Sequence, residues 1–478
     1  MYCKIREKEY NIEIIFCRAG LINLIILGGR TCLSKIKKVS KSALDLLCEL
    51  CASLIDFIKK IITSQDFISR HKRSSKYFSR TRSLPFITVV LFLMNLLRSS
   101  IQNEIDSFFK AVSGSDVADR KATDSAFCQA RKKLSHSAFI ELIHKGVEFF
   151  TAHFSPKTWY GFRLLATDGS TIKVPRTEEV SNYFGVWNPA KGERCPVARV
   201  SQLFDVLNHI IIDVLIAPKS HGERDLAAQH FAHIGPKDLI LLDRGYPALW
   251  LFHLILDKEA YFYARLPISL WKAVIRFSAS GLDEKIVMIY HSAASKKMCA
   301  QLGLPATPLK LRLIRIDLGT KEPEVLITSL VDTATYPHAL FKELYHDRWP
   351  VEESYKLFKS RIELENFTGK SVEAVKQDFY ARIFMLNLTS MLAFPVQDLI
   401  NTNHKDCKYS YQISWTQALA KMKNVGILLF VRETIAPIII KLQRLFLWSV
   451  VPIRPGRKFP RKSRFHQRRY AFAYKPIS

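Results

Sequence analysis

The sequence lacks an uninterrupted apolar run as long as a membrane-spanning helix requires. Residues 11–29 are largely apolar, but Glu13, Arg18 and Asn23 interrupt them. Residues 86–97 carry no charge, yet they are too short to cross a bilayer and are typical of a buried helix. No signal-peptide cleavage pattern follows either stretch. We therefore expect a soluble cytoplasmic protein without a membrane partner.

Cysteine is sparse and irregularly spaced. Nine cysteines, an odd number, are scattered over 478 residues, which excludes a disulfide-stabilised scaffold and favours a reducing compartment. Cys48 and Cys51 form a C-x-x-C pair, but neither a second pair nor a histidine cluster lies near them in sequence. We interpret them as packed thiols on a leucine-rich helix and not as zinc ligands.

Negative charge is scarce compared with positive charge. The chain has 43 Asp and Glu residues against 71 Lys and Arg residues, a formal net charge of +28. Such a surplus attracts polyanions, mainly through phosphate neutralisation, and causes self-repulsion when no partner is bound. Membrane surfaces and acidic proteins are alternative partners, but nucleic acid is favoured. Hydrophobic residues make up 48% of the chain, which excludes a disordered protein.

Composition and periodicity divide the chain into three regions, a number that its length allows. Residues 1–160 are expected to be an all-helical, basic, DNA-binding region. Within them, the Lys- and Arg-rich residues 30–82 are either a solvated helix face with a loose linker or an arm that contacts DNA. Residues 161–400 mix strands with helices and include short alternating runs at 268–330, which predict a β-rich insertion. Residues 401–478 are expected to be helical and basic.

The middle region has the pattern of an α/β fold. An apolar run before Asp168 predicts a strand, and two extended runs at 199–206 and 209–217 predict a β-hairpin. Residues 238–243 form an apolar run without polar alternation, which is typical of a central strand buried on both faces. A further strand is predicted at 260–266. Three antiparallel strands followed by helix, strand, helix and strand indicate a mixed sheet flanked by helices.

Three acidic residues stand in sequence settings that suit a metal site. Asp168 and Asp243 each follow an apolar run of the kind that forms a buried strand, and Glu352 lies on a predicted amphipathic helix. An isolated aspartate after a strand is usually a turn residue or a helix cap, so the prediction depends on the three together. Converging carboxylates bind Mg²⁺, for which Mn²⁺ can substitute, and paired ions of this kind activate both oxygens of a phosphodiester exchange.

Four polar residues around the last acid share one predicted helix face. Tyr345, Arg348, Glu352 and Lys359 have the spacing Y-x2-R-x3-E-x6-K, which brings them within about 60° of one another on a helix. We expect Glu352 to hold a metal ion and the two cations to contact phosphate oxygens. Pro350 either begins this helix or kinks it, and the pair Glu352 and Lys359 lies beyond it.

Other polar residues near these motifs have two interpretations each. Arg244 follows Asp243 directly and is either half of a structural ion pair or a residue with a direct role at the site. His221, Glu223 and Arg224 lie near a predicted helix start. They either help to orient phosphate or serve the ordinary chemistry of a helix N-terminus.

The motifs together resemble those of the bacterial DDE transposases of the insertion-sequence-four family. The hallmark of that family is the Y-R-E-K pattern, which this chain matches in full. The DGSTIKVP context of Asp168, the LLDRGY context of Asp243 and the ENFTGK segment at 365–370 also resemble family motifs. The resemblance covers roughly residues 85–395. The family commonly has an aliphatic residue where Pro350 stands, which leaves the local helix geometry open.

The resemblance implies a ribonuclease-H-like core with a β insertion between the second and third acids. It implies Mg²⁺-dependent hydrolysis at transposon ends, followed by attack of the freed 3′-hydroxyl on target DNA. Asp168, Asp243 and Glu352 are then the catalytic metal ligands. The expected contacts to the donor DNA end are Tyr345, Arg348 and Lys359. The expected partners are double-stranded DNA, as inverted-repeat ends and as target, and a second copy of the chain in the DNA complex; the expected location is the bacterial nucleoid.

Two other functions stay open. The first alternative is a former transposase that only binds DNA, and the second is a metal-dependent nuclease that acts in repair. The presence of all three acids disfavours the first alternative. A repair nuclease, unlike a transposase, should show no preference for inverted-repeat ends.

Overall fold

The computed structural model describes residues 41–80, 82–188, 194–317, 323–346, 355 and 363–454, together with the backbone of 4–7, 10–16 and 22–27. Side chains are described from residue 47 onward, except those of 345 and 346. The strands are β1 Lys4–Glu7, β2 Tyr10–Phe16, β3 Ile22–Leu27, β4 Arg163–Lys173, β5 Val186–Trp187, β6 Cys195–Asp205, β7 Ile210–Pro218, β8 Asp238–Leu242, β9 Tyr261–Leu266, β10 Glu284–Ile289, β11 Leu309–Ile316, β12 Glu324–Thr328, β13 Tyr411–Ile413 and β14 Val450–Pro452.

The helices flank the central strands and predominate in residues 41–153 and 372–448. They are α1 Lys41–Thr63, α2 Gln65–His71, α3 Phe86–Met94, α4 Ile101–Ser113, α5 Asp124–Arg131, α6 Ser137–His153, α7 Glu178–Phe184, α8 Glu223–His230, α9 Leu249–Asp257, α10 Lys272–Ala279, α11 Ala293–Gln301, α12 Leu340–His346, α13 Val372–Asn403, α14 Trp415–Met422, α15 Leu428–Val431 and α16 Ala436–Trp448.

The N-terminal region is helical from α1 to α6, as the periodicity predicts. Ahead of α1, β1, β2 and β3 form an antiparallel sheet, so the prediction of an all-helical region does not hold for its first residues. Residues 10–14 alternate apolar and polar side chains, which is the period of a strand. The predicted buried helix at 86–97 is confirmed as α3, whose side chains are mostly inside the core.

Cys48 and Cys51 are packed thiols, as predicted. Both lie on the buried face of α1, which packs against α16 and α6. The Cys51 sulfur accepts a hydrogen bond from the Gln443 side chain at 3.5 Å, and burial raises the pKa of Cys51 to about 12. A thiol that stays protonated in an apolar interior contributes packing, not metal ligation.

The central sheet has the strand order of a ribonuclease-H-like fold. Strands β4, β6 and β7 are antiparallel neighbours, while β8 and β9 lie parallel to β4 on its other side. The order is therefore β7-β6-β4-β8-β9, with β5 pairing β6 as well. The predicted hairpin is confirmed as β6 and β7, and the predicted mixed sheet flanked by helices is confirmed.

The predicted insertion at 268–330 extends the same sheet. Strand β12 pairs β9, and β11 and β10 follow outward in antiparallel order. Three strands agree with the predicted β-rich character. The two helices α10 and α11 within the insertion were not predicted, because each has only two or three turns in which to show a 3.6-residue period.

Helix α13 runs through the interior and joins the helical region to the sheet. It packs against α3, α6, α16 and β7. Its length and composition would allow it to cross a membrane, but 78% of its most apolar window is buried inside the protein. Burial of this kind marks a core helix. Helix α13 also continues through residue 400, where a region boundary was predicted, and the division into three regions stays a prediction.

Candidate active site

Asp168 and Asp243 lie side by side on the central sheet. The parallel register pairs Ala166 of β4 with Leu241 of β8, so each aspartate lies two residues beyond a paired position. Residues two apart on a strand project to the same face, and the two carboxylates therefore share one face of the sheet. Both side chains are partly exposed. The structure thus brings together the first two predicted acids.

Strand β4 continues past Asp168, whereas the apolar run suggested that it ends there. Residues after Asp168 keep their pairing with β6 as far as Lys173, which is opposite Val197. Strand β8 ends at Leu242, so β4 loses its parallel neighbour near the level of the two aspartates. The site therefore lies where two paired strands separate, a usual place for a ligand in an open α/β sheet.

A third carboxylate, that of Glu223, lies beside this pair. Glu223 is the first residue of α8, and a Cβ atom at Gly169 would lie 3.4 Å from its Oε1 atom. The same side chain approaches Gly245, two residues after Asp243, and forms a 2.8 Å ion pair with Arg199 of β6. Glycine at position 169 thus leaves room for the glutamate side chain against the strand that carries Asp168.

The interpretation of the α8 start as ordinary helix-terminus chemistry is therefore incomplete. Gly222 is the N-cap, and the Glu223 side chain lies against Gly169 and approaches Gly245, each close in sequence to one of the aspartates. Arg224 donates a hydrogen bond from Nε to the Gly245 backbone oxygen at 3.0 Å, which ties α8 to the loop after β8. His221 is exposed and precedes the helix.

The negative charge of the three carboxylates affects the buried phenol of Tyr246. Its side chain is 2% exposed. Burial is the largest cause that raises the pKa of Tyr246, and the carboxylates of Asp168, Glu223 and Asp243 raise it further. The phenol is therefore a neutral wall of the site at physiological pH. Three acids near one buried hydroxyl form a field that a divalent cation would neutralise.

An open pocket of about 450 Å³ adjoins the acids. It is lined by Arg199, Gly222, Glu223, Arg224, Asp225, Gly245, Trp250 and Met298. Two of these residues are arginines, whose guanidinium groups match the geometry of phosphate. The neighbouring Arg244 is exposed, so it is accessible to a ligand and is not a buried ion-pair partner. The pocket lining therefore includes both carboxylates and guanidinium groups.

The region that contains these acids matches a known protein family. Residues 159–388 match the family described as "Transposase DDE domain". This part of the chain is a DDE transposase domain. It contains Asp168, Asp243, Glu223 and the residues that line the pocket. It also contains the Y-R-E-K and ENFTGK motifs that were predicted to belong to the site. A DDE domain implies the use of a divalent metal ion.

Named relatives agree with the family. Transposase InsG for insertion sequence element IS4 of Escherichia coli (strain K12) is 25% identical over 272 residues, which cover 55% of this chain and 60% of that protein. Putative transposase InsZ of the same organism is 27% identical over 123 residues, which cover 25% of this chain and 41% of that protein. The matched part thus spans less than two thirds of each relative. The predicted resemblance to insertion-sequence-four DDE transposases is confirmed.

A solved structure was also matched. It is the cryo-EM structure of a piggyBac transposase synaptic complex with hairpin DNA, which is 9% identical in sequence. The match covers 87% of this chain and 88% of that chain, with a TM-score of 0.39.

The third predicted acid and its neighbours are not among the described residues. Arg348, Pro350, Glu352 and Lys359 lie outside them, and so does the side chain of Tyr345. Their assignment as metal ligand and DNA contacts stays a prediction. Tyr355, which follows Glu352 in sequence, is described and is buried.

Tyr355 contacts the first aspartate directly. Its hydroxyl donates a 2.7 Å hydrogen bond to the backbone oxygen of Asp168 and lies 3.5 Å from that of Val200. This residue was not predicted from the sequence. Its position three residues after Glu352 was visible, but a tyrosine at that spacing has no feature that distinguishes it from an ordinary core residue.

Two buried arginines hold the segment 363–370 that follows the motif. Arg382 of α13 donates to the backbone oxygens of Glu363 at 3.0 Å and Asn366 at 2.6 Å. Arg131 of α5 donates to the Thr368 hydroxyl at 2.8 Å. These contacts anchor the chain where it leaves the undescribed stretch that contains Glu352.

The same segment contacts strand β4. The Glu365 carboxylate accepts a hydrogen bond from the Lys173 backbone amide at 3.0 Å, and the Thr177 hydroxyl donates to the Lys370 backbone oxygen at 2.9 Å. The predicted ENFTGK motif therefore braces the far end of the strand that carries Asp168.

The donor set fits a hard divalent cation. Asp168 and Asp243 supply carboxylate oxygens on one face, and Glu223 adds negative charge that acts on the same buried phenol, that of Tyr246. Oxygen-only sites favour Mg²⁺ or Mn²⁺ over metals that prefer nitrogen or sulfur.

Proposed function

We propose that this protein is a DNA transposase that uses Mg²⁺, with Mn²⁺ as a substitute, to cut DNA at the ends of a transposable element and to join the freed end to target DNA. The observation that carries the proposal is the placement of Asp168 and Asp243 on one face of the sheet, inside a DDE transposase domain. Paired carboxylates at the separation of two parallel strands form a metal site open to a bulky substrate.

Glu352 is the proposed third ligand, and chain connectivity supports this role. Tyr355 is hydrogen-bonded to the backbone of Asp168. Three residues of chain span at most about 11 Å between Cα atoms, so the position of Tyr355 limits how far Glu352 can lie from the first aspartate.

The proposed reaction has two steps that share this site. Water attacks the phosphorus at the element end, the P–O3′ bond breaks, and the element keeps a 3′-hydroxyl. That hydroxyl then attacks a phosphodiester of the target and displaces the 3′ oxygen of the target strand. Mg²⁺, when bound, polarises the phosphate and stabilises the charge on the attacking and leaving oxygens.

Several side chains of this protein would position the DNA. Arg199 and Arg224 in the wall of the pocket are placed to neutralise phosphate oxygens next to the acids. We propose the predicted donor-end contacts as further members of this set: Tyr345, Arg348 and Lys359. Arg244 is exposed beside Asp243 and is a candidate for the same role.

Double-stranded DNA is the proposed partner, as inverted-repeat ends and as target, and we propose a homodimer in the DNA complex. The net charge of +28 supports strong and salt-dependent DNA binding. Lys359→Ala should lower the slope of log affinity against log salt concentration by about 1, because one phosphate contact is lost. An unchanged slope together with unchanged cleavage would remove Lys359 from the site.

The decisive experiment is cleavage of a DNA fragment that carries the inverted repeats flanking the gene. Asp168→Ala, Asp243→Ala and Glu352→Gln should each reduce cleavage by more than about 100-fold, beyond the loss typical of outer-shell changes at metal sites. DNA binding should persist. The matched control is Asp257→Ala, which removes an exposed acid at the end of α9.

The outcomes separate the alternatives. If all three acid variants cut as well as the unchanged protein, the proposal fails. Equal cleavage of fragments with and without inverted repeats would indicate a metal nuclease instead. Metal-independent binding without any cleavage by the unchanged protein would indicate a DNA-binding protein that has lost catalysis.

A further inference from the structure

Away from the DDE acids, three histidines and one aspartate lie close together where α6 and α8 pack against β7. Asp213 lies on β7, His144 on α6, His230 at the end of α8 and His233 in the 3-10 turn that follows. Helices α6 and α8 both pack against β7. Residues distant in sequence therefore converge on one carboxylate.

The ligand atoms are close enough to share an ion. Asp213 Oδ1 is 3.0 Å from His144 Nε2, and Asp213 Oδ2 is 3.9 Å from His233 Nε2. One ligand atom from each of these three residues lies within 4.8 Å of the other two. Ligands of a tetrahedral zinc ion, with bonds of about 2.0–2.2 Å, are separated by roughly 3.3 Å. Small side-chain rotations therefore suffice to bring the three atoms around one ion.

We propose that His144, Asp213 and His233 form a binding site for Zn²⁺, separate from the oxygen-only site of the DDE domain. Two imidazole nitrogens and one carboxylate are a set that zinc prefers and that Mg²⁺ does not. The cluster is accessible from solvent, because the side chains of His144 and His233 are 28% and 36% exposed. An ion can therefore enter from outside.

His230 orients the carboxylate ligand. It is fully buried, and its Nδ1 is 2.6 Å from Asp213 Oδ2 while its Nε2 is 2.9 Å from the Ser201 hydroxyl. An imidazole N–H that holds a metal-binding carboxylate, and is held in turn by a hydroxyl, is a usual outer shell of a zinc site. The buried imidazole thus fixes Asp213 in the orientation that the other two histidines require.

Position suggests what the ion does. Helix α8 begins with Glu223 beside Asp168 and ends with His230 next to the zinc site. Zinc would join α6, β7 and the turn after α8, and so hold α8 against the sheet from its C-terminal end. Its role is structural, since the ligands lie on the opposite end of α8 from the acids.

The test uses Co²⁺ as a spectroscopic substitute for zinc in the full chain carrying Asp168→Ala and Asp243→Ala, which removes two of the three DDE acids. We expect one Co²⁺ per chain with the visible absorption of a tetrahedral site. His144→Ala and His233→Ala should each abolish it and lower Zn²⁺ affinity at least tenfold. His153→Ala, an exposed histidine on the same helix, should leave both unchanged.

Circular dichroism of each variant checks that it folds, and a ligand exchange covers the case in which an alanine variant does not. His233→Cys should retain Co²⁺ and add the near-ultraviolet absorption of a cobalt–thiolate bond. Identical Co²⁺ spectra and stoichiometry in the alanine variants, or the absence of a tetrahedral spectrum in the parent chain, would overturn the proposal. Failure here leaves the DNA-cleavage assay unaffected, since that assay depends on the other acids.

Discussion

The hydroxyl of Tyr355 donates a 2.7 Å hydrogen bond to the backbone oxygen of Asp168. Tyr355 belongs to the motif region that contains Glu352, so the bond joins that region to the strand of the first acid. Burial is the largest cause that raises the pKa of Tyr355 well above its usual value, and Asp168, Tyr246 and Glu223 add to it. The phenol therefore remains protonated and able to donate at any pH suited to activity.

Tyr355→Phe should weaken this link while preserving the packing of the ring. Loss of one hydrogen bond should lower the free energy of unfolding by about 0.5–1.5 kcal/mol. We expect cleavage to fall by about tenfold, equivalent to about 1.4 kcal/mol of transition-state stabilisation. The Mg²⁺ concentration for half-maximal cleavage should rise because the third acid is held less firmly.

The measurement is cleavage as a function of Mg²⁺ concentration, together with urea unfolding. Tyr290→Phe is the matched control, since that tyrosine is 71% exposed. A Tyr355→Phe protein with unchanged Mg²⁺ dependence would show that the bond plays no part in positioning the site.

Glu223→Gln should affect metal use more than stability. The glutamate lies next to Gly169 and pairs with Arg199, but its side chain is 46% exposed, so loss of the ion pair should cost less than about 1 kcal/mol. Removal of one negative charge from the acid cluster should raise the Mg²⁺ concentration for half-maximal cleavage several-fold.

The comparison for Glu223→Gln is Glu178→Gln, an exposed glutamate in the first turn of α7. Mg²⁺ titrations of cleavage by the two variants give the answer. If both variants respond to Mg²⁺ as the unchanged protein does, Glu223 serves only its ion pair with Arg199.

The elements that carry the aspartates could be predicted from local pattern. The β6–β7 hairpin follows from two extended runs around a short turn, and β8 follows from an apolar run that ends at Asp243. Each of these predictions depends only on residues that are neighbours in sequence. The order of the strands and the site at their separation then follow from the family resemblance.

Glu223 and Tyr355 could not be predicted in their roles, because those roles depend on tertiary contact. Glu223 has the sequence setting of any acid at a helix start, and only the position of α8 against β4 brings it to Gly169. Tyr355 has the setting of a core aromatic, and its hydrogen bond to Asp168 depends on how the motif region lies on the sheet.

Arg131 and Asp378 form a buried ion pair that should matter for stability. Nη2 of Arg131 donates to Asp378 Oδ1 at 2.8 Å, and each residue is 3% exposed. Burial alone would raise the pKa of Asp378, but Arg131, Arg382 and bonds from Thr368 lower it below the usual value. The folded state thus favours the charged pair.

Arg131→Ala and Asp378→Asn should each lower the free energy of unfolding by about 3–5 kcal/mol, since each leaves a buried polar partner unsatisfied. The double variant should lose less than the sum of the two. Urea unfolding of all four proteins gives the coupling energy. Additive losses would contradict a direct pairing, and Lys145→Ala, which breaks an exposed pair with Glu148, provides the comparison for a surface ion pair.

Asp205 should make stability fall as pH rises. It is 1% exposed, and burial raises its pKa to about 6, although Asn208 donates to it from its backbone amide at 3.1 Å. Because the folded pKa exceeds the unfolded value, the contribution of Asp205 is fully present below the unfolded pKa and is lost as pH rises through 6. Asp205→Asn keeps an acceptor for Asn208 without the charge, so its stability relative to the unchanged protein should increase by about 1–2 kcal/mol between pH 5 and pH 7.5.

Urea unfolding of both proteins at the two pH values measures this difference, in which the other titrating groups cancel. A difference that stays constant with pH would mean that the carboxylate is as easily ionised in the folded protein as in the unfolded chain.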